Sequence, residues 1–278
     1  MPEPSRSYQA RAYAEAALVR SVRTYGETPE IVLLGGLVPE LLCSEALRKH
    51  EGTTDVDVQI DLEIQQGSVN AIKLGKALEE SGFVPTSGGV WRWQDVSVPG
   101  VVVKMEFLAD LSDQPSQAII EFKSCKSLGA VNLRGTQFAW RDWELRPITT
   151  TLESESISVN VRVATLPAYI LAKSHAAYGR NLEKDWYDIA YVLLHNDEGG
   201  PEVAAQQVHD VFGSDLVGQT ETALSELGSN FAKVDAQGST SYARTMHRLH
   251  RVLDIDVLAN DAMAGVCLFL EELGITSL

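Results

Sequence analysis

The chain has 278 residues, 45% of them apolar and 22% charged. That balance excludes disordered, collagen-like and coiled-coil classes, and at ~150 residues per domain it fits two domains or one large one. Lysine and arginine number 23 against 38 aspartates and glutamates, a net charge of −15. This argues against a protein that coats duplex nucleic acid, an affinity that rests on cations neutralising phosphates, but it permits a local basic patch, a basic partner or a divalent cation held by carboxylates.

In chain order, the spacing of Ala10, Tyr13, Ala14, Ala17 and Leu18 predicts a helix over about Ser7–Tyr25. Glu30–Leu34 (EIVLL) has the continuous apolar run of a buried strand and stops at Gly35-Gly36, after which a second helix is expected over about Pro39–Lys49. Asp55–Leu62 (DVDVQIDL) alternates at period two and reads as a strand. A helix over Val69–Ser81 and strands over Val90–Gln94 and Val101–Leu108 follow. Short β-like runs then occupy Ile119 to about Val163. From Pro167 the pattern is helical to the end: Ala168–Tyr178, Lys184–His195, Glu202–Phe212, Thr220–Phe231, Tyr242–Leu253 and Asp256–Leu273. The fold class expected is α+β, with a mixed-sheet domain over 1–165 and an all-helical domain over 166–278 closing a cleft.

Cys43, Cys125 and Cys267 are odd in number and far apart, which speaks against a disulfide framework or a CxxC zinc site and for a reducing cytoplasm. The opening MPEPSRSYQA lacks the apolar core of a signal peptide, and no window approaches eighteen apolar residues, so a cytoplasmic protein without a membrane span is expected.

The informative chemistry begins at Gly35-Gly36. Glycines where a strand meets a helix let the backbone approach a ligand, and N–H groups at a helix start face anions such as phosphate. Asp55 and Asp57, two apart on a strand, project from one face and repel unless a cation lies between them. Mg²⁺ is the natural neutraliser because it takes oxygen ligands and shares its shell with substrate phosphates. Asp61 and Glu63 continue the same parity, so a solvated strand face is the competing reading.

A GG turn, a helix and a DxD strand resemble the nucleotidyltransferase superfamily with the polymerase-beta-like fold. The resemblance implies a third carboxylate on a later strand, best matched by Glu106 in VKMEF, with Asp110 as runner-up. Further on, Leu166–Leu194 carries Lys173, Arg180, Lys184-Asp185 and Asp188. Asp185 and Asp188 share a helix face, and the turn over Gly179–Glu183 can fold Lys173 back towards them. Seen alone this is a hairpin with ordinary salt bridges. Placed after GG…TTDVD it resembles AbiEii-type nucleotidyltransferases, which include the toxin halves of AbiE and MenT toxin–antitoxin pairs.

That resemblance implies an Mg²⁺-dependent transfer of a nucleotide from an NTP to an acceptor, tRNA or another RNA first, and an antitoxin protein as partner. It implies Asp55, Asp57 and Glu106 as metal ligands, Lys173 with Asp188 or Asp185 in catalysis, and Gly35, Gly36, Thr54, Arg180 and Lys184 at the nucleotide. The group usually carries an Arg just before T-x-D-x-D; here that stretch is His50-Glu51-Gly52-Thr53, and Arg48 and Lys49 are displaced from it. An aminoglycoside-type transferase acting on a small cation and a non-catalytic homologue remain as alternatives. Arg244, Arg248 and Arg251 form the densest basic stretch and are candidates for an RNA backbone. Trp91, Trp93, Trp140, Trp143 and Trp186 are expected in the core, with Trp186 alternatively lining a base pocket.

Overall fold

The computed structural model describes residues 7–60, 70–87, 89–122, 125–251 and 253–275. The chain separates into two compact units: Met1–Val38 with Gly52–Ala164, and Pro39–Glu51 with Thr165–Leu278. Residues 39–51, which the sequence reading assigns to the first domain, group with the second. Among the described residues no helix is long and apolar enough to cross a membrane, and the three cysteines form no disulfide.

The first unit is built on a mixed sheet. Its strands are β1 (Ile31–Leu34), β2 (Asp55–Ile60), β3 (Phe83–Thr86), β4 (Gly89–Asp95), β5 (Val103–Ala109), β6 (Ile119–Phe122), β7 (Cys125–Asn132), β8 (Trp143–Leu152) and β9 (Glu155–Ala164). The order is β3-β4-β5-β2-β1-β9-β8, with β7 pairing β5 and β6. β1–β9, β2–β5 and β5–β7 are parallel and the other pairs antiparallel. Helix α1 (Tyr8–Tyr25) packs on the sheet and buries Ala10, Ala14, Ala17, Leu18 and Val22, apolar residues at helical period. Ser7 caps its first turn by accepting the Ala10 N–H at 3.1 Å, and Gly26 ends it at φ 86°.

Several expected bounds shift. A 3₁₀ turn over Gly35–Leu37 precedes α2, which spans only Val38–Leu42 instead of running to Lys49. The cause lies downstream. The Asp197 carboxylate takes the N–H groups of Ser44 (2.8 Å) and Glu45 (2.9 Å) and the Ser44 hydroxyl (2.7 Å), so those donors cannot extend the helix. The helix expected over Val69–Ser81 is α3 (Asn70–Glu80). The tail of the strand expected to Leu62, with Asp61 and Glu63, and the helix start at Val69 lie outside the described residues. Strand β3 and the short helix α4 (Gln137–Arg141) have no counterpart in the sequence reading. Trp93 and Trp186 are core residues as expected, but Trp91 and Trp140 are half-buried and Trp143 is exposed.

The second unit is helical: α5 (Leu166–Arg180), α6 (Glu183–His195), α7 (Pro201–Phe212), α8 (Gln219–Phe231), α9 (Gln237–Leu249) and α10 (Ile255–Glu272). Helix α6 packs on α5, α9 and α10, and Asp185 to Leu193 are all buried, the pattern of a helix surrounded by others. Trp186 sits at 1% exposure, edge-on to Phe231, with its indole N–H donated to Asn181 Oδ1 at 3.2 Å. It is a core residue.

Candidate functional site

In the first unit, β1 ends directly on Gly35. Its φ of +75° lies in the left-handed region, and a Cβ there would stand 1.9 Å from Asp57 Oδ2. A Cβ on Gly36 would stand 2.8 Å from the Thr53 methyl. Both glycines are thus dictated by what faces them across the sheet. A side chain at Gly35 would occupy the place of the Asp57 carboxylate.

Strand pairing aligns a row of residues on this face. Leu34 pairs with Asp57, Asp57 with Glu106, and Glu106 with Arg92. Asp55 pairs with Lys104 one step along. Partners paired this way project on one side of the sheet, so Asp55, Asp57 and Glu106 share a face. The opposite face carries Val56, Val58, Met105 and Phe107, all buried. The Asp55 backbone N–H donates to Thr53 Oγ1 at 3.0 Å. Asp55 Oδ1 and Thr54 Oγ1 are buried and have no hydrogen-bond partner among the described residues. An unpaired buried carboxylate oxygen is costly and calls for a cation or a donor.

Glu106 is differently engaged. Its Oε1 lies 2.7 Å from Arg92 Nε, and the Arg92 guanidinium also covers the Trp91 ring at 4.3 Å. Burial pushes the Glu106 carboxyl above the usual range; Arg92 opposes this, and the Asp55 charge adds to it. Among the described residues no three His, Cys, Asp or Glu side chains converge to hold a metal ion. The oxygen-only pair Asp55 and Asp57 nevertheless fits Mg²⁺, which commonly takes one or two protein carboxylates and fills its shell with water and substrate phosphate. Asp110, the runner-up third acid, is used locally: it accepts the Gly135 N–H at 2.6 Å and pairs with Arg134 at 3.3 Å. Arg92 was invisible as a site residue in the sequence. Its parity on β4 is legible, but its partner depends on the register with β5.

In the second unit, α5 and α6 bring Lys173, Arg180, Asp185 and Asp188 together. Lys173 Nζ stands 2.9 Å from Asp185 Oδ1 and 2.8 Å from Asp188 Oδ2. Arg180 forks onto Asp185, 3.2 Å from Nε to Oδ2 and 2.9 Å from Nη2 to Oδ1. His50 Nε2 lies 2.9 Å from Asp188 Oδ1 with both side chains fully buried, and its ring stacks on Tyr187. Sequence spacing gives no hint of His50, because it lies 138 residues from its partner. Burial works against the Lys173 ammonium, but Asp185 and Asp188 outweigh it, so its pKa stands above the ordinary lysine value. Lys184 is half-buried on the first turn of α6. Of the basic stretch, Arg248 pairs with Glu51, while Arg244 and Arg251 are exposed.

No protein-family model matches the chain, and no curated protein sequence shows significant similarity to it. Among solved structures it is similar to an antigenic nucleotidyltransferase-like protein from Paracoccidioides brasiliensis, at 15% identity and a TM-score of 0.39 over 78% of this chain and 94% of that one. A likeness of that size leaves function to be read from the chain's own residues.

Proposed function

We propose that the chain is an Mg²⁺-dependent nucleotidyltransferase that moves an NMP from an NTP to an acceptor. One observation carries this reading: Asp57 is packed against Gly35 at the end of β1, beside an Asp55 whose buried Oδ1 has no hydrogen-bond partner among the described residues. That arrangement keeps two carboxylates on one face without a protein cation assigned to Asp55. A divalent ion held there would supply charge neutralisation for the NTP phosphates. Asp55 and Asp57 would hold it; Glu106, paired with Arg92, would border the site. The Thr54 hydroxyl, buried and without a partner among the described residues, would be a donor for a phosphate oxygen.

The AbiEii-like order of motifs supports RNA as acceptor and a toxin role with a protein antitoxin. The net charge of −15 favours a second reading, a small cationic acceptor. Radiolabelled NTPs with Mg²⁺, presented with total RNA or with an aminoglycoside panel, separate the two. Transfer to either acceptor, with pyrophosphate released and both lost in Asp57→Ala, is the expected result. Absence of transfer with every NTP and acceptor, or full turnover in Asp57→Ala, would overturn the reading.

A further inference from the structure

We propose that Trp140, Trp143 and Arg162 form a subsite for single-stranded nucleic acid, in which a base stacks on an exposed indole and a phosphate meets the guanidinium. The role of such a subsite, presenting an acceptor strand, rests on the nucleotidyltransferase reading; its binding chemistry does not.

Arg162 lies on β9, half-buried. Its guanidinium carbon is 4.6 Å from the centre of the Trp143 ring and 5.8 Å from that of Trp140. No carboxylate, carbonyl or hydroxyl oxygen among the described residues pairs with it. By contrast, Arg20, Arg92, Arg134, Arg146, Arg180 and Arg248 each meet a carboxylate. The two indoles cover the guanidinium but cannot neutralise it, so its N–H groups stay available to an anion.

Trp143 opens β8, the strand at the end of the sheet path, and is 36% exposed; Leu145, next on the same side, is 55% exposed. The register carries this side across the sheet. Leu145 pairs with Arg162, Arg162 with Val32, and Val32 with Gln59. Gln59 is two residues from Asp57, so the Trp–Arg cluster and the carboxylates Asp55 and Asp57 occupy the same face of one sheet. An aromatic surface with an unneutralised cation is the combination that holds single strands. Every base offers a face to stack, and each phosphate contact adds a salt-sensitive increment. Duplex does not fit, because its bases are already stacked.

The test uses the full chain and a fluorescein-labelled single-stranded RNA of about 12 nucleotides, within the span such sites cover. Anisotropy is read from low to physiological salt, beside the matching duplex. The single strand is expected to bind more tightly than the duplex. Trp143→Ala should weaken single-strand binding by about tenfold, and Trp143→Phe should restore most of it. Arg162→Gln should lower the slope of log affinity against log salt by about 0.7, one phosphate contact. Thermal melts confirm that each variant is folded. Mg·NTP binding by the wild-type chain is measured separately. NTP binding without strand binding would overturn the subsite and leave the transferase reading standing; strand binding without NTP binding would do the reverse. Equal strand affinity in wild type, Trp143→Ala and Arg162→Gln would also overturn the subsite.

Discussion

At the residue scale, Gly35 and Asp57 are one unit. The positive φ suits glycine, and an added methyl would collide with the Asp57 carboxylate. Gly35→Ala should therefore lower stability by on the order of 2–3 kcal/mol, from backbone strain plus the displaced carboxylate. Urea titration of the variant beside Gly36→Ala checks this. Gly36 has no positive φ and faces the Thr53 side chain rather than a carboxylate, so its cost should be smaller. Equal, negligible costs would mean that the packing against Asp57 is not maintained in solution. Lys173 obeys a different logic. It compensates two carboxylates that are fully buried, so Lys173→Ala should cost about 3–5 kcal/mol by leaving charge uncompensated. An unchanged melting temperature would show that Asp185 and Asp188 do not depend on this ammonium and that its charge is available to a ligand.

At the element scale, what was legible in the sequence was periodicity. The α1 helix, the strand before Gly35-Gly36, the DxD strand and six C-terminal helices follow from apolar spacing and from glycine punctuation. What was not legible was set by distant partners. Helix α2 stops at Leu42 because Asp197 captures the donors of Ser44 and Glu45, a contact across 153 residues for the first of them. Asp197→Ala should release that loop. Amide hydrogen exchange at Ser44 and Glu45 should rise strongly while the α6 core stays protected; unchanged exchange would mean that another contact stops the helix. Strand β3 escaped notice because FVPT carries a proline and has two exposed residues, which the pleat tolerates at a sheet edge. The candidate site was half legible: the carboxylates Asp55 and Asp57 could be read from parity, but the Arg92–Glu106 pair depends on register between β4 and β5. The tryptophans at 140 and 143 read as core from residue type alone, and only the edge position of β8 shows why Trp143 is exposed.

At the scale of the whole molecule, titration connects the helical unit to stability. His195 accepts or donates a hydrogen bond with the Tyr242 hydroxyl at 2.9 Å. Burial, with the charges of Arg48 and His250, pushes its pKa down to about 4. The unfolded chain takes up this proton near the ordinary value of about 6.5. Between those two values the unfolded state binds more protons, so stability is full above the upper one and falls as pH drops through the window. The loss is up to about 3 kcal/mol by pH 4, and His195→Gln, which keeps a hydrogen-bonding group without titrating, should flatten it. Urea midpoints at pH 7, 6 and 5 for both proteins measure this; identical pH slopes would remove His195 as the cause.

The most direct measurement on the carboxylate pair is a Mn²⁺ titration followed by electron paramagnetic resonance, with and without NTP, on the wild-type chain and on the Asp55→Asn, Asp57→Asn double variant. Asparagine keeps the shape and removes the charge, so the fold should survive. The wild-type protein should take up Mn²⁺ more tightly when NTP is present, and the double variant should lose at least tenfold in that uptake. Equal Mn²⁺ uptake by both proteins, or NTP binding that is unchanged by chelating the metal, would contradict a metal–nucleotide site at Asp55 and Asp57.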